Sequence, residues 1–318
     1  MGAGADRPAP PPQEAPCPCC GGRRFVPQYR IGRHTLIRCR ACSLIRLAEP
    51  PTPEALAAIY STDRYFQNPD FLSGAPETLY GYQDAAAESE LKALLYGRLL
   101  GPVLRRAFPA PAGLSWLDVG AGLGSLVAFA RREGFDALGI EANPTAVAKA
   151  RAAVGEHFLH GWIETVRLDR AFDVVTLMDV IEHVLDPEAC LRWVGRHLAA
   201  GGIAVVVTMD SRSLVSRILG SRLEDFRRVS EHIHFFARSN FRLLAERAGL
   251  RVEAVRSWGG YFHGRRLFQR AGAMCGLPAP AAERLDAALV PPRLTLYLDP
   301  HVKMMVVLRR GGDEKDRA

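Results

Sequence analysis

The chain has 318 residues, of which 48% are hydrophobic and 24% are charged, and its formal net charge at pH 7 is +7. This length allows one large domain or two unequal ones, and the composition is that of a soluble globular protein. No apolar run approaches the roughly 18 residues of a membrane span, and no secretory signal opens the chain, so we expect a cytoplasmic protein without membrane contact. The positive charge permits acidic partners, but the arginines are scattered, which favours a solvated surface.

Five of the seven cysteines lie within residues 17–42, after an Ala-, Gly- and Pro-rich stretch, residues 1–16, that we expect to be disordered. Two Cys-x-x-Cys pairs with 18 residues between them predict a tetrahedral zinc site in a ribbon over residues 17–50. The predicted ligands are Cys17, Cys20, Cys39 and Cys42. Four thiolates leave no open position, so the zinc is expected to be structural, and Cys19 has the wrong spacing for a ligand. The alternative is a reduced loop without metal.

Residues 51–110 have the pattern of a helical linker. Thr52 caps a short helix that begins at Pro53, and a longer helix is predicted over residues 83–108. The segment between them is rich in aromatic residues, which pack the linker onto the following domain or cover a binding site.

From residue 114 onward, apolar strands alternate with helical patterns, which predicts a parallel sheet with helices on both faces. This domain is expected over residues 111–310, before a polar tail at 311–318. Asn143 and Asp186 are predicted helix caps, a helix is predicted to end at Gly201, and another covers residues 240–248 after Ser239. The predicted strands are residues 114–119, 137–141, 157–159, 172–178, 203–208, 251–256 and 303–308.

The most informative stretch is residues 116–125, where an apolar strand ends in Asp118 and three alternating glycines precede a helix. Glycines without a Cβ let a ligand approach the backbone, and the helix N-terminus offers unpaired N–H groups. Glu141 ends the next strand, 21 residues after Gly120, where a ribose-binding carboxylate is expected. A purely structural turn with an unrelated Glu is the alternative.

With these motifs, the sequence resembles the class I S-adenosylmethionine-dependent methyltransferases. The family's fourth-strand motif is matched by Asp179-x-x-Glu182-His183, and the resemblance covers roughly residues 114–260. It implies a Rossmann-like, seven-stranded, mostly parallel sheet with helices on both faces, here preceded by the small zinc ribbon. It also makes S-adenosylmethionine the expected cofactor.

The resemblance implies a role for each strand end. Asp118 holds the turn or meets the amino group of the donor, and Glu141 accepts hydrogen bonds from its ribose. Trp162 or Ile163 flanks the adenine, with Glu164 as the nearest acid, and Asp179 lies near the donor methyl group. The glycines that the methionine part and the ribose approach are Gly120, Gly122 and Gly124.

The candidate catalytic residues are His183, Glu231 and His232, since a neutral imidazole accepts protons near pH 7. The alternative is that Glu182-His183 and Glu231-His232 only brace two loops. His234, beside two phenylalanines, is expected to be a packed core residue. In the family, the segment before the first strand commonly forms a lid, for which Tyr65 and Tyr82 are candidates.

A four-Cys ribbon ahead of this domain resembles bacterial methyltransferases of sugars and secondary metabolites. We therefore expect methyl transfer to a small-molecule acceptor, most simply a hydroxyl. Three alternatives stay open: sugar C-methylation, ribosomal RNA methylation with the ribbon as RNA reader, and a catalytically silent scaffold. Nucleic acid is the less favoured partner.

Overall fold

The computed structural model describes residues 15–61, 85–265, 267–269, 277, 279–291 and 294–312. Its strands are β1 (Phe25–Ile31), β2 (His34–Cys39), β3 (Ile45–Leu47), β4 (Ser115–Val119), β5 (Asp136–Glu141), β6 (Phe158–His160), β7 (Phe172–Met178), β8 (Leu198–Met209), β9 (His234–Phe235), β10 (Leu250–Ser257), β11 (Gly260–His263), β12 (Thr295–Leu298) and β13 (Lys303–Arg310). Its helices are α1 (Pro53–Ser61), α2 (Ala85–Leu99), α3 (Gly101–Ala107), α4 (Ser125–Arg132), α5 (Pro144–Val154), α6 (Pro187–His197), α7 (Leu214–Leu219), α8 (Glu224–Arg227), α9 (Arg238–Arg247) and α10 (Ala279–Leu289).

A seven-stranded sheet in the order β10-β13-β8-β7-β4-β5-β6 forms the centre of the molecule. The five strands from β8 to β6 are parallel, and β13 runs antiparallel to both of its neighbours. The predicted α/β fold with a mostly parallel seven-stranded sheet is therefore confirmed. The strand order reverses at β4: β5 and β6 lie on one side of it, and β7 and β8 lie on the other. Ligands bind at such a point in open α/β sheets.

Alternate residues of the central strands enter two separate cores, one on each face of the sheet. Val175 and Leu177 of β7 pack in one core with residues of α6 and α9. Val174 of β7 packs in the other with residues of α2, α3, α4 and α5. This alternation explains the nearly continuous apolar runs in the sequence, because each strand is buried on both faces.

Two predicted elements were wrong in their extent. The helix predicted over residues 83–108 is two helices in its described part, α2 and α3, because Pro102 lacks the N–H that would continue the hydrogen-bond ladder. The helix predicted to end at Gly201 ends at His197, and β8 begins at Leu198, not at residue 203. A register shift against β7 and a positive φ of 75° at Gly201 accommodate this extension.

Smaller differences concern element ends. The third strand of the domain, β6, lies one residue later than predicted, and α9 begins at Arg238 because Asn240 caps it by accepting a hydrogen bond from the Ala237 N–H at 2.7 Å. The predicted caps Asn143 and Asp186 are confirmed, since each side chain accepts a backbone N–H of its helix. Across the described residues, no helix is both long and apolar enough to cross a membrane.

The cysteine-rich segment forms an antiparallel sheet, β1-β2-β3, that β9 extends. Ile45 of β3 pairs with Phe235 of β9, and the Leu47 N–H donates to the Ile233 carbonyl at 2.9 Å. The N-terminal sheet is thus hydrogen-bonded to the segment that directly follows His232.

Candidate active site

The glycine-rich turn leaves β4 at the switch in strand order. Gly120, Gly122 and Gly124 have φ values of 72°, 53° and 83°, a region that favours glycine. A Cβ at Gly120 would lie 2.4 Å from Val180 Cγ2, whereas a Cβ at Gly122 would meet no atom of the described residues within 4 Å. Gly120 is therefore required by packing, and Gly122 borders open space that a ligand can fill.

Glu141 ends β5 beside that space. Its Oε2 accepts the Gly122 N–H and its Oε1 accepts the Asn143 N–H, each at 2.8 Å. Burial raises the pKa of the Glu141 carboxyl, and the backbone hydrogen bonds oppose that rise. The carboxylate thus locks the turn and leaves acceptor capacity for hydroxyl groups of a ligand.

Asp118 lies in β4, is buried, and is paired with Thr176 of the neighbouring strand β7. Its Oδ1 accepts the Thr176 hydroxyl at 2.7 Å, and Thr176 in turn accepts the Trp116 indole N–H at 2.9 Å. Burial raises the pKa of Asp118 to about 7, with a further contribution from Glu141. These contacts join β4 to β7 directly before the turn.

Residues that follow β6 pack against α1, close to Asn143. Ile163 is buried, and the Trp162 ring meets the Tyr60 ring edge-on, with centroids 5.5 Å apart. The Asn143 side chain donates to the Tyr60 carbonyl at 2.7 Å. Glu164, the acid considered for adenine recognition, is exposed.

Asp179 follows β7 directly and has a positive φ of 54°, which is uncommon for a residue other than glycine. Lys303, the first residue of β13, donates to Asp179 Oδ2 at 2.7 Å. Strained residues of this kind cluster at functional sites. The strain and the ion pair together fix the carboxylate at the carboxyl edge of the sheet.

The candidate catalytic residues come together next to Asp179. The rings of His183 and His232 meet edge-on with centroids 4.7 Å apart. Glu231 pairs with Arg228 at 2.6 Å, and its carbonyl lies 3.1 Å from His183 Nδ1. His183 Nδ1 also lies 2.7 Å from the Tyr60 hydroxyl.

Burial and nearby positive charge keep the imidazoles of His183 and His232 neutral. Burial and the nearby Arg228 cation lower the pKa of His183 to about 3, and burial with the neighbouring His183 lowers that of His232. Burial, with Asp179 close by, raises the pKa of Glu182 to about 8, so this carboxyl is mostly protonated at pH 7. One atom each of Glu182, His183 and His232 lies within 4.8 Å of the others, a neutral set surrounded by charged groups.

The four predicted cysteine ligands converge. Their Sγ atoms lie within 4.8 Å of one another, with Cys17 to Cys42 at 3.5 Å and Cys20 to Cys39 at 3.6 Å. Tetrahedral zinc with bonds of about 2.3 Å requires about 3.8 Å between sulfurs, so the group fits this ion. Arg46 is buried beside Cys17 and Cys39, and its cation suits a centre of four thiolates. Cys19 instead contacts the Asn240 carbonyl at 3.5 Å.

Sequence reasoning missed Tyr60 and Lys303 as members of the site. Both lie more than 120 residues from their partners in the chain, and neither belongs to a motif. The signal for Tyr60 was its place in the aromatic-rich linker, but the lid candidates chosen there, Tyr65 and Tyr82, lie outside the described residues. His234 is buried, as expected of a core residue.

Comparison with known proteins identifies the family. The profile of a family described as a methyltransferase domain matches residues 92–255, which is 164 of the 318 residues. The chain belongs to the methyltransferase family. The resemblance to class I S-adenosylmethionine-dependent methyltransferases, the enzyme class and the expected donor are thereby confirmed at the level of the family.

Curated methyltransferases resemble the chain only over part of their length. The ubiquinone biosynthesis O-methyltransferases of Schizosaccharomyces pombe (mitochondrial) and Paramagnetospirillum magneticum are 34% and 37% identical over 116 and 103 residues. These matches cover 34% and 31% of this chain, and 42% and 41% of the relatives. The chain thus spans about two fifths of the length of the curated methyltransferases it matches.

A solved methyltransferase has the same fold. The plantazolicin methyltransferase BpumL, in complex with SAH, aligns over 81% of this chain and 94% of its own, with a TM-score of 0.50 and 15% identity. At this identity the likeness concerns the fold alone.

Proposed function

We propose that this methyltransferase transfers a methyl group from S-adenosylmethionine to a hydroxyl oxygen of a small molecule, on a sugar or a secondary metabolite. The observation that carries the proposal is the glycine turn at the switch in strand order, where Glu141 holds Gly122, together with the neutral His183–His232 pair from the loops after β7 and before β9. The O-methyltransferase names of the curated relatives support oxygen as the acceptor atom.

In this proposal the donor lies along the carboxyl ends of β4 and β5. When bound, S-adenosylmethionine supplies an electrophilic methyl carbon activated by its sulfonium group. Glu141 accepts hydrogen bonds from the ribose hydroxyls, and Ile163 contacts the adenine. Asp118 fixes the end of β4 against β7 through Thr176, and Asp179 lies beside the transferred methyl group.

The acceptor hydroxyl lies against His183 and His232. A neutral imidazole takes the hydroxyl proton as the oxygen–carbon bond forms and the sulfur–methyl bond breaks. The electron pair of the broken bond stays on sulfur, so the positive charge of the sulfonium is lost and one appears on the ring. Burial lowers the pKa of His183 overall, and the nearby Asp179 carboxylate opposes that shift and so favours the protonated ring. Glu231, held by Arg228, orients His183 through its carbonyl.

The N-terminal segments complete the proposal. Cys17, Cys20, Cys39 and Cys42 hold one structural zinc in a ribbon over residues 17–50, which is too small to form a core alone. In the linker over residues 51–110, the described residue Tyr60 contacts the site, and residues 111–310 form the methyltransferase domain.

The test is incorporation of label from methyl-tritiated S-adenosylmethionine into the low-molecular-mass fraction of a cell extract, with purified total RNA assayed in parallel. The proposal expects a labelled small molecule whose mass spectrum places the methyl group on oxygen. Label in RNA alone would replace it with the RNA-directed alternative. A product labelled on carbon would replace it with C-methylation, and no label in either fraction would contradict it.

A further inference from the structure

The geometry points to Tyr60 as a positioning residue that ties the donor site to His183 and fixes the proton on that imidazole. This inference rests on the proposed function, because it concerns how the acceptor base is held. It adds a residue from the N-terminal linker to a site that otherwise comes from the carboxyl edge of the sheet.

The backbone of Tyr60 is anchored at the donor end. Its carbonyl accepts the Asn143 side-chain N–H at 2.7 Å, and the Asn143 backbone N–H donates to Glu141 Oε1 at 2.8 Å. Glu141 in turn holds Gly122. Two hydrogen bonds thus connect the last turn of α1 with the carboxylate beside the donor space.

The Tyr60 ring is fixed by packing. The residue is only 9% exposed and packs in a small cluster with Leu56 and Ile233, while Trp162 meets its ring edge-on. Ile233 directly follows His232, so the ring contacts both sides of the site. A buried ring with these neighbours has little freedom, and its hydroxyl direction is set in advance.

The hydroxyl lies at hydrogen-bond distance from His183. It is 2.7 Å from Nδ1, which is also 3.1 Å from the Glu231 carbonyl. A carbonyl oxygen can only accept, so Nδ1 carries the hydrogen, which the Tyr60 oxygen and the carbonyl share. The lone pair then resides on Nε2, the nitrogen that is left for the acceptor hydroxyl.

A merely structural Tyr60 would satisfy its own buried hydroxyl without any effect on the tautomer of His183. The two roles differ in what removal of the hydroxyl does. If Tyr60 helps to fix the tautomer, Tyr60→Phe leaves the ring packing and donor binding intact but removes the shorter of the two contacts to His183 Nδ1. Only the Glu231 carbonyl at 3.1 Å then holds the hydrogen on Nδ1, so a larger fraction of it moves to Nε2.

The experiment is nitrogen NMR of protein labelled with 15N-histidine and saturated with S-adenosylhomocysteine, with the His183 signals assigned from their loss in His183→Gln. Tyr96→Phe is the matched control, since Tyr96 is 8% exposed and its hydroxyl contacts Ser125 at 3.3 Å. We expect wild type and Tyr96→Phe to give one N–H and one lone-pair nitrogen at His183. In Tyr60→Phe the two shifts should move toward each other, with the Kd for S-adenosylhomocysteine within threefold of wild type.

Unchanged His183 signals in Tyr60→Phe would overturn the inference, as would an equal change in Tyr96→Phe. Failure of the wild-type protein to bind S-adenosylhomocysteine in a calorimeter is a different result, which would reject the proposed function itself.

Discussion

Alanine substitutions at Gly120 and Gly122, in the turn after β4, distinguish the effect of this turn on stability from its effect on donor binding. Gly122→Ala adds a methyl group into open space at a φ of 53°, and the left-handed backbone costs about 1 kcal/mol. If the donor occupies that space, the new Cβ collides with it, and we expect S-adenosylhomocysteine to bind at least about tenfold more weakly, or about 1.4 kcal/mol. Gly120→Ala pays the same strain and also overlaps Val180 Cγ2 at 2.4 Å, which adds about 1–3 kcal/mol.

The matched control is Gly32→Ala, in the hairpin turn between β1 and β2. Its φ is 55° and, within the described part of the chain, its Cβ would also meet nothing within 4 Å, so it carries the same strain away from the donor. Denaturant unfolding and calorimetry with S-adenosylhomocysteine measure both effects. We expect Gly120→Ala to lose the most stability, Gly32→Ala to bind as wild type, and Gly122→Ala to lose affinity. A wild-type affinity in Gly122→Ala would refute the placement of the donor.

Three further predictions concern the acceptor site, the metal and acid stability. His183→Ala and His232→Ala should leave S-adenosylhomocysteine affinity nearly unchanged, while at least one lowers turnover by about 10²-fold in the tritium assay; undiminished turnover in both would discard the proposed bases. Metal analysis should find about one zinc per chain, and clearly less in Cys39→Ser; a metal-free wild type would remove the zinc site. Burial lowers the pKa of His234 to about 4, so the folded protein keeps this imidazole neutral, whereas the unfolded chain protonates it below about pH 6.5. The free energy of unfolding therefore falls as the pH drops from 6.5 toward 4. Between pH 7 and pH 5 this amounts to about 2 kcal/mol, which His234→Leu should remove from the slope of stability against pH.

Local patterns in the sequence were sufficient for the fold and for the donor side of the site. The apolar strands alternate with capped helices, and each predicted strand of the large sheet is present. The central strands could be recognised because burial on both faces requires a continuous apolar run. The glycine turn and Glu141 are likewise close in sequence, and their relation follows from two adjacent parallel strands. The zinc ligands could be predicted because binding of a tetrahedral ion requires two cysteine pairs with this spacing.

The acceptor side could not be predicted in the same way, because its contacts connect distant parts of the chain. Tyr60 reaches His183 across 123 positions, and Lys303 reaches Asp179 across 124. Neither pair leaves a periodic signal, since each depends on how α1 and β13 pack against the sheet edge. The extension of β8 was missed for a related reason: a bulge at Gly201 lets the strand continue through a glycine pair that resembles a turn.

The most direct test of the central claim is calorimetric titration of the protein with S-adenosylmethionine, in wild type and in Glu141→Ala. We predict one site per chain in the wild type and at least about tenfold weaker binding in the variant. Without the Glu141 carboxylate, the ribose hydroxyls lose their hydrogen-bond acceptor, and the Gly122 N–H loses the group it donates to. No detectable binding to the wild type at high micromolar donor, or equal binding to both proteins, would contradict the account.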